Sequence, residues 1–417
     1  MHEIIRDDKE NASRTFADVA EKTRNNFPES AYRLRVHGNG RVSGTMGRHR
    51  YFAGADGTGT KPELAERMDT LHDDPCYYEG LGSDVVAMVA DDVPPLGYFV
   101  VGIVNTLDVN SAKDSDFVAA LARGMHRACD KGRFPLLNGE TAELGYRTPG
   151  VGKNHLNWNA VALQLVNEAK IIDGSKLKAG NIIIGLRERS IRSNGLTMAR
   201  DILENAWLQE RSFQNKRAWA IHAIQKKQRH TMSAEAIGDI FDAMPGGPAF
   251  LDHVHVPWHE QFREVTEQLL TPSKIYAPLF YEAQGGVDGP VNIPLLACAH
   301  ITGGGVPLKV QRMLKDNPGL GVDLNTVFPD PDGIPKLMEL SRNYGVAGKT
   351  LIDDRTACEK WNRGVGVLCV VESDEHAAEF VGLAAKMDYE AAIMGSVIDH
   401  PLIRWRGHEW STQAVSS

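Results

Sequence analysis

The sequence predicts an α/β protein with α and β elements layered in two domains, and three observations carry that prediction. Apolar runs of strand length alternate with stretches of helical periodicity along most of the chain. The 417 residues exceed the usual size of one domain, while 42% hydrophobic and 24% charged residues is ordinary globular composition. A turn signal at Asp173-Gly174 separates the halves, which places the boundary near residue 170 and gives domains 1–170 and 171–417.

Taken in order, residues 1–50 are polar and mixed in charge, and strand-like runs punctuated by glycine begin at Ser43 and continue to Val104. A helix is predicted from Asp116 to Asp130, because Phe117, Ala120, Leu121 and Met125 fall at helical spacing and Gly132 can stop it. Phe134 to Leu137, Asn159 to Val166 and Asn181 to Leu186 read as strands. Ser193-Asn194 can cap a helix over Gly195 to Leu203, and Thr271-Pro272 marks a second start with proline at the first helical position. Between these starts, Glu204 to Leu270 is rich in Gln, Lys, Arg, His and Trp and carries Pro245-Gly246-Gly247-Pro248, so 204–270 is predicted to be a surface insertion. A strand over Pro294 to Cys298, helices over Pro307–Leu314, Ile334–Arg342 and Asp374–Met387, and strands over Val365–Val371 and Ala391–Ile398 complete the pattern.

Composition excludes several classes. The net charge is −8, which provides no electrostatic footprint for a nucleic-acid backbone or an anionic membrane. No apolar run approaches the roughly 20 residues that span a bilayer, and the charged start lacks the apolar stretch of a secretory signal. Five scattered cysteines without a C-x-x-C fit a reducing, cytoplasmic setting.

Five segments carry chemistry, the fifth being Arg192-Ser193-Asn194-Gly195. In Gly54-Ala55-Asp56-Gly57-Thr58-Gly59-Thr60-Lys61 the glycines can turn backbone N–H groups toward a phosphate while Lys61 adds a charge; a plain glycine turn is the competing reading. The Walker pattern does not apply, since Thr60 stands between Gly59 and Lys61, and Asp56 tolerates phosphate only through a divalent cation. Asp84 and Asp92 are eight residues apart on an apolar helix and can approach one cavity; taken alone, a capping Asp84 and a solvated Asp91-Asp92 end is the stronger reading. Asn138-Gly139-Glu140-Thr141-Ala142-Glu143 sets carboxylates in a glycine turn after a strand, as an ordinary polar turn also does. Ala299-His300-Ile301-Thr302-Gly303-Gly304-Gly305 opens a helix, where unhindered N–H groups form an anion site; His300 reads as an acid/base group or a core histidine. Asn194, in a helix cap, could also bond a ligand. His253, His255 and His259 have ligand-like spacings, but Pro257 breaks any helix that would align them.

In order and content these pieces resemble the aminoimidazole ribonucleotide synthetase (phosphoribosylformylglycinamidine cyclo-ligase) family, and Ile171 to Lys176, Ser193-Asn194-Gly195, Leu270 to Tyr276 and Asn362 to Gly366 extend the resemblance to about residue 371. The chain departs from the family pattern at Asp91, usually asparagine; Asn138, usually glycine; Arg192, usually histidine; and Arg363, usually cysteine. Related ATP-using enzymes are selenophosphate synthetase, thiamine-monophosphate kinase and a hydrogenase-maturation protein. The first cysteine, Cys76, and the end Ser416-Ser417 lack the reactive cysteines that the first and last of these need.

The resemblance implies a two-domain fold whose N-terminal sheets pair across a homodimer, with ATP and Mg²⁺ as cofactors and a ribonucleotide substrate. Carried over residue by residue, it implies Asp56, Asp84, Asp92 and Glu140 as Mg²⁺ ligands. Gly57, Thr58, Gly59, Thr60, Lys61, Gly139, Thr141 and Asn194 would contact ATP, with Lys61 on its phosphates. Thr302, Gly303, Gly304 and Gly305 would cradle the substrate phosphate, and His300 and Lys61 would be catalytic. The implied reaction is ATP-dependent ring closure of formylglycinamidine ribonucleotide; another phosphoryl transfer, or a nucleotide-binding relative without turnover, is the alternative.

Overall fold

The computed structural model describes residues 33–36, 42–210, 258–345 and 351–412. Strands β1 (Arg33–Val36), β2 (Val42–Met46), β3 (His49–Gly57), β4 (Phe99–Val109), β5 (Leu136–Glu143) and β6 (Leu156–Asn167) form one sheet in the order β1-β2-β3-β6-β4-β5. Only β4 and β5 run parallel, and helix α3 (Ser115–Gly132) makes the crossover that parallel strands require. Phe117, Ala120, Leu121, Gly124, Met125 and Ala128 give α3 a single buried stripe, and the Asp114 carboxylate caps its start by accepting from the Asp116 and Phe117 N–H groups.

Helix α1 (Lys61–His72) follows β3 directly, and α2 (Gly80–Ala90) lies beneath the sheet, buried from Leu81 to Ala90. A helix apolar on every side needs partners on every side. Against α3 it gains one through glycine: a Cβ on Gly82 would lie 2.1 Å from the Gly124 carbonyl carbon.

The second sheet joins β7 (Ile182–Arg187), β8 (Ala297–His300), β9 (Gly321–Leu324), β10 (Val365–Val371), β11 (Ala391–Ile398), β12 (Leu402–Trp405) and β13 (His408–Ser411) in the order β13-β12-β9-β11-β7-β10-β8. Strand β10 is buried along its whole length because both faces are covered. Val365, Leu368 and Val370 belong to a core shared with Val306 and Val310, whereas Val367, Cys369 and Val371 pack with Leu279, Phe280 and Phe380.

Helix α4 (Leu196–Glu210) is followed, among the described residues, by α5 (Trp258–Gln261), α6 (Arg263–Leu269), α7 (Ala277–Ala283), α8 (Gly305–Met313), α9 (Ile334–Tyr344), α10 (Asp354–Lys360) and α11 (Asp374–Lys386). Two expectations are corrected. Stretch 204–270 is not surface at its ends, where Ala206, Trp207, Trp258, Val265 and Leu269 enter the core of the first half; residues 211–257 lie outside the described residues. No helix starts at Thr271-Pro272: α7 begins at Ala277, and the segment before it is held by side chains of α2, as described below. Among the described residues no helix is long and apolar enough to cross a membrane.

Candidate active site

The glycine-rich stretch 54–61 is only in part a loop. Gly54 to Gly57 belong to β3, and the turn proper is Thr58 to Thr60, anchored where the Thr58 N–H donates to the Trp158 carbonyl at 3.0 Å. Gly59 has φ +59°, and a Cβ there would stand 3.4 Å from the Ser193 carbonyl, so this turn abuts the Ser193–Gly195 turn of the second half. Lys61 points into the interior. Fully buried at the start of α1, its Nζ donates to Asp84 Oδ1 at 2.7 Å and to the Thr271 carbonyl at 2.8 Å. Asp84, expected as a metal ligand, is the equally buried counter-ion of Lys61.

Helix geometry explains the miss. At about 100° per residue, positions seven apart differ by about 20° and positions eight apart by about 80°. Asp91, not Asp92, therefore shares the face of Asp84. Both carboxylates hold the 271–277 segment: Asp84 accepts from the Ser273 N–H, and Asp91 Oδ1 accepts from the Tyr276 and Ala277 N–H groups at 2.7 and 3.0 Å. This capture takes the segment out of helix.

Asp92 turns instead toward His300, whose Nδ1 lies 3.8 Å from Asp92 Oδ1. Burial pushes the His300 pKa down to about 4, so the ring is neutral at pH 7, and neither ring nitrogen has a hydrogen-bond partner. Beyond His300, Thr302 to Gly305 form a turn in which the Gly305 N–H donates to the Thr302 carbonyl at 3.1 Å. The three glycines differ. Gly304 has φ +92°, and a Cβ on it would strike Leu308; one on Gly305 would lie 1.9 Å from the Cys358 carbonyl oxygen; only Gly303 has room, its nearest neighbour being Asn194 Oδ1 at 3.5 Å. Two of the three are thus required by backbone and packing. Pro307 has no N–H, which narrows the donors that this helix start offers an anion.

Residues 138–143 form an exposed edge strand, not a turn. Register aligns Asp56, Ala160, Asn105 and Gly139 in one row across β3, β6, β4 and β5, and Gly57, Asn159, Thr106 and Glu140 in the next. Adjacent rows point to opposite faces, and three strand spacings amount to about 14 Å. Asp56 and Glu140 of one chain therefore cannot share a cation, and the expected four-carboxylate cluster does not form. Among the described residues no group of three or more His, Cys, Asp or Glu could hold a metal ion. His259 is buried beside the Arg67 guanidinium, and His253 and His255 lie outside the described residues.

What converges is Gly59 against Ser193 and His300 against Asp92, two approaches between the halves of the chain, with Asn194 beside Gly303 within the second half. The model of the AIR synthase related protein N-terminal domain matches residues 42–156, and that of the C-terminal domain matches residues 247–406. Phosphoribosylformylglycinamidine cyclo-ligase of Thermodesulfovibrio yellowstonii is 26% identical over 82% of this chain and 79% of its own. The enzyme of the same name from Sorangium cellulosum is 28% identical over 83% of this chain and 80% of its own, and the chloroplastic one of Arabidopsis thaliana 26% over 83% and 71%. With both halves matched in order, the chain belongs to the AIR synthase related family, as a divergent member.

Proposed function

We propose that this protein is an ATP-dependent cyclo-ligase that converts formylglycinamidine ribonucleotide to aminoimidazole ribonucleotide in purine biosynthesis. ATP phosphorylates the formyl amide oxygen, the amidine nitrogen attacks the activated carbon, and the carbon–oxygen bond to phosphate breaks, giving ADP and phosphate. The observation that carries this reading is the meeting of the 58–60 turn, Asn194, Gly303 and the Asp92–His300 pair at the junction of the two halves. Such chemistry depends on positioning and on neutralising phosphate charge.

Thr58 to Thr60 and Asn194 would contact ATP, and Gly303 the substrate phosphate. The residues fit Mg²⁺ held mainly by the nucleotide, since that ion is commonly bound by one or two carboxylates together with phosphate oxygens; Asp92, partly exposed, and Asp56 are the candidates. Mg²⁺ would neutralise charge on the transferring phosphoryl group. Neutral His300 would accept the amidine proton as the ring closes, with Asp92 stabilising the imidazolium.

A homodimer belongs to this reading, supported by Val101, Leu137 and Leu163 of the first sheet, which among the described residues are 49, 46 and 40% exposed. By register Glu140, with Gly139 and Thr141 beside it, sits at the edge of the sheet, its carboxylate on that face. Unpaired thiols at all five cysteines suit a cytoplasmic enzyme. The test is ADP release with formylglycinamidine ribonucleotide, with thiamine monophosphate and with neither. Release with the first alone is expected. Release with thiamine monophosphate alone, or ATP binding without release, would replace the cyclo-ligase by another phosphoryl transfer or by a regulatory relative.

A further inference from the structure

Two departures from the family pattern, Asp91 and Arg192, are partners in the structure. Arg192 Nη2 donates to Asp91 Oδ2 at 3.1 Å and to the Ala87 carbonyl at 3.3 Å, while Nη1 donates to Glu188 Oε2 at 2.9 Å and to the Lys274 carbonyl at 3.1 Å. Both side chains of the Arg192–Asp91 pair are 1% exposed, so neither touches a ligand. Arg192 has φ +59°, a backbone conformation that a non-glycine residue keeps only when its surroundings impose it. The surroundings here are three chain segments: the end of α2, the 188–195 turn, and the 274–277 segment, whose Tyr276 and Ala277 N–H groups are held by the other oxygen of Asp91.

Each arm of this junction ends at the site. Asp92 directly follows Asp91 and faces His300, and Asn194 lies two residues beyond Arg192 and faces Gly303. A planar guanidinium with donors on two sides is suited to fixing such segments; an ammonium cannot serve four acceptors at once. We propose that Arg192 and Asp91 are positioning residues, which set the separation of Asp92 from the Ser193–Gly195 turn and so the site for nucleotide-bound Mg²⁺. This rests on the nucleotide reading above.

The test uses Asp91→Asn, which places the usual family residue opposite an unchanged arginine, and Arg192→Lys, which keeps the charge in the interior and loses the fork. Circular dichroism reports folding, and calorimetry with ATP over a Mg²⁺ series reports the half-saturating Mg²⁺ concentration. Both variants are expected to fold, to melt below the wild type, and to need at least about tenfold more Mg²⁺, a shift that a purely structural role would not produce. A lowered melting temperature with unchanged half-saturation in either variant overturns the proposal alone. ATP binding by the wild type that ignores Mg²⁺ overturns the nucleotide reading, and this inference with it.

Discussion

The buried pair Lys61–Asp84 separates two roles for one lysine, and Lys61→Met decides between them. In the folded protein Nζ lies between Asp84 Oδ1 and the Thr271 carbonyl, with no exposed surface on either side chain of the ion pair. Removing the cation leaves a carboxylate in the interior, and breaking such a pair on one side costs roughly 3–5 kcal/mol. An unfolding entropy of roughly 2.1 cal/mol/K per residue over 417 residues gives about 0.9 kcal/mol/K, so the melting temperature should fall by about 3–6 °C. The double variant Lys61→Met/Asp84→Asn removes both charges and keeps an oxygen to accept from the Ser273 N–H, which Asp84 now holds at 3.1 Å. Its loss should therefore shrink to that of one neutral hydrogen bond, about 1 kcal/mol. Melting curves and ATP calorimetry on the wild type and both variants test this, with ATP affinity expected to change less than about threefold throughout. A Lys61→Met protein that melts within about 1 °C of the wild type yet no longer binds ATP would refute the reasoning and return the lysine to the phosphates.

The glycines of the 302–305 turn should separate by assay: Gly305→Ala, driven into the Cys358 carbonyl, lowers the melting temperature, whereas Gly303→Ala leaves it in place and raises the Michaelis constant for the ribonucleotide. Asp92→Ala should abolish the Mg²⁺ dependence of ATP binding, read by calorimetry with and without the metal. His300 has a folded pKa of about 4 against an ordinary 6.5, so the native state binds its proton less readily than the unfolded chain. Stability is therefore lost as pH falls from about 6.5 toward 4, by up to roughly 3 kcal/mol from this group, and the gap in stability between wild type and His300→Gln should move with pH across that window. A gap that stays constant there would place His300 in a wetter setting than its burial indicates.

Local pattern made the elements legible, and their long-range partners set what the sequence could not show. Phe117, Ala120, Leu121 and Met125 suffice to place α3, since a stripe at helical spacing with a capping Asp114 has one reading, and the helix observed, Ser115–Gly132, exceeds the predicted span by one or two residues at each end. Thr271-Pro272 misled because proline at a helix start is also compatible with extended chain, and what settles the matter is Asp84 and Asp91, far away in sequence. The glycines at 303–305 were recognised as a turn opening a helix, but their separate duties depend on Leu308, Cys358 and Asn194.

The same distinction applies to the candidate site residues. Asp92, His300, Asn194 and Gly303 were found as motif members, and the structure sets Asp92 near His300 and Asn194 near Gly303. Lys61 and Asp84 were found by the same reasoning, and the structure pairs them with each other, since a motif records which residues occur and not which way they face. A lysine one residue further along a helix start turns by about 100°. Lys61 lies in the interior, paired with the Asp84 carboxylate. In a divergent chain, charge in a motif is therefore weak evidence for contact with ligand until its counter-charge has been located. Arg192 shows the converse: a departure from the family pattern is matched in the interior by Asp91 and Glu188, which balance its charge.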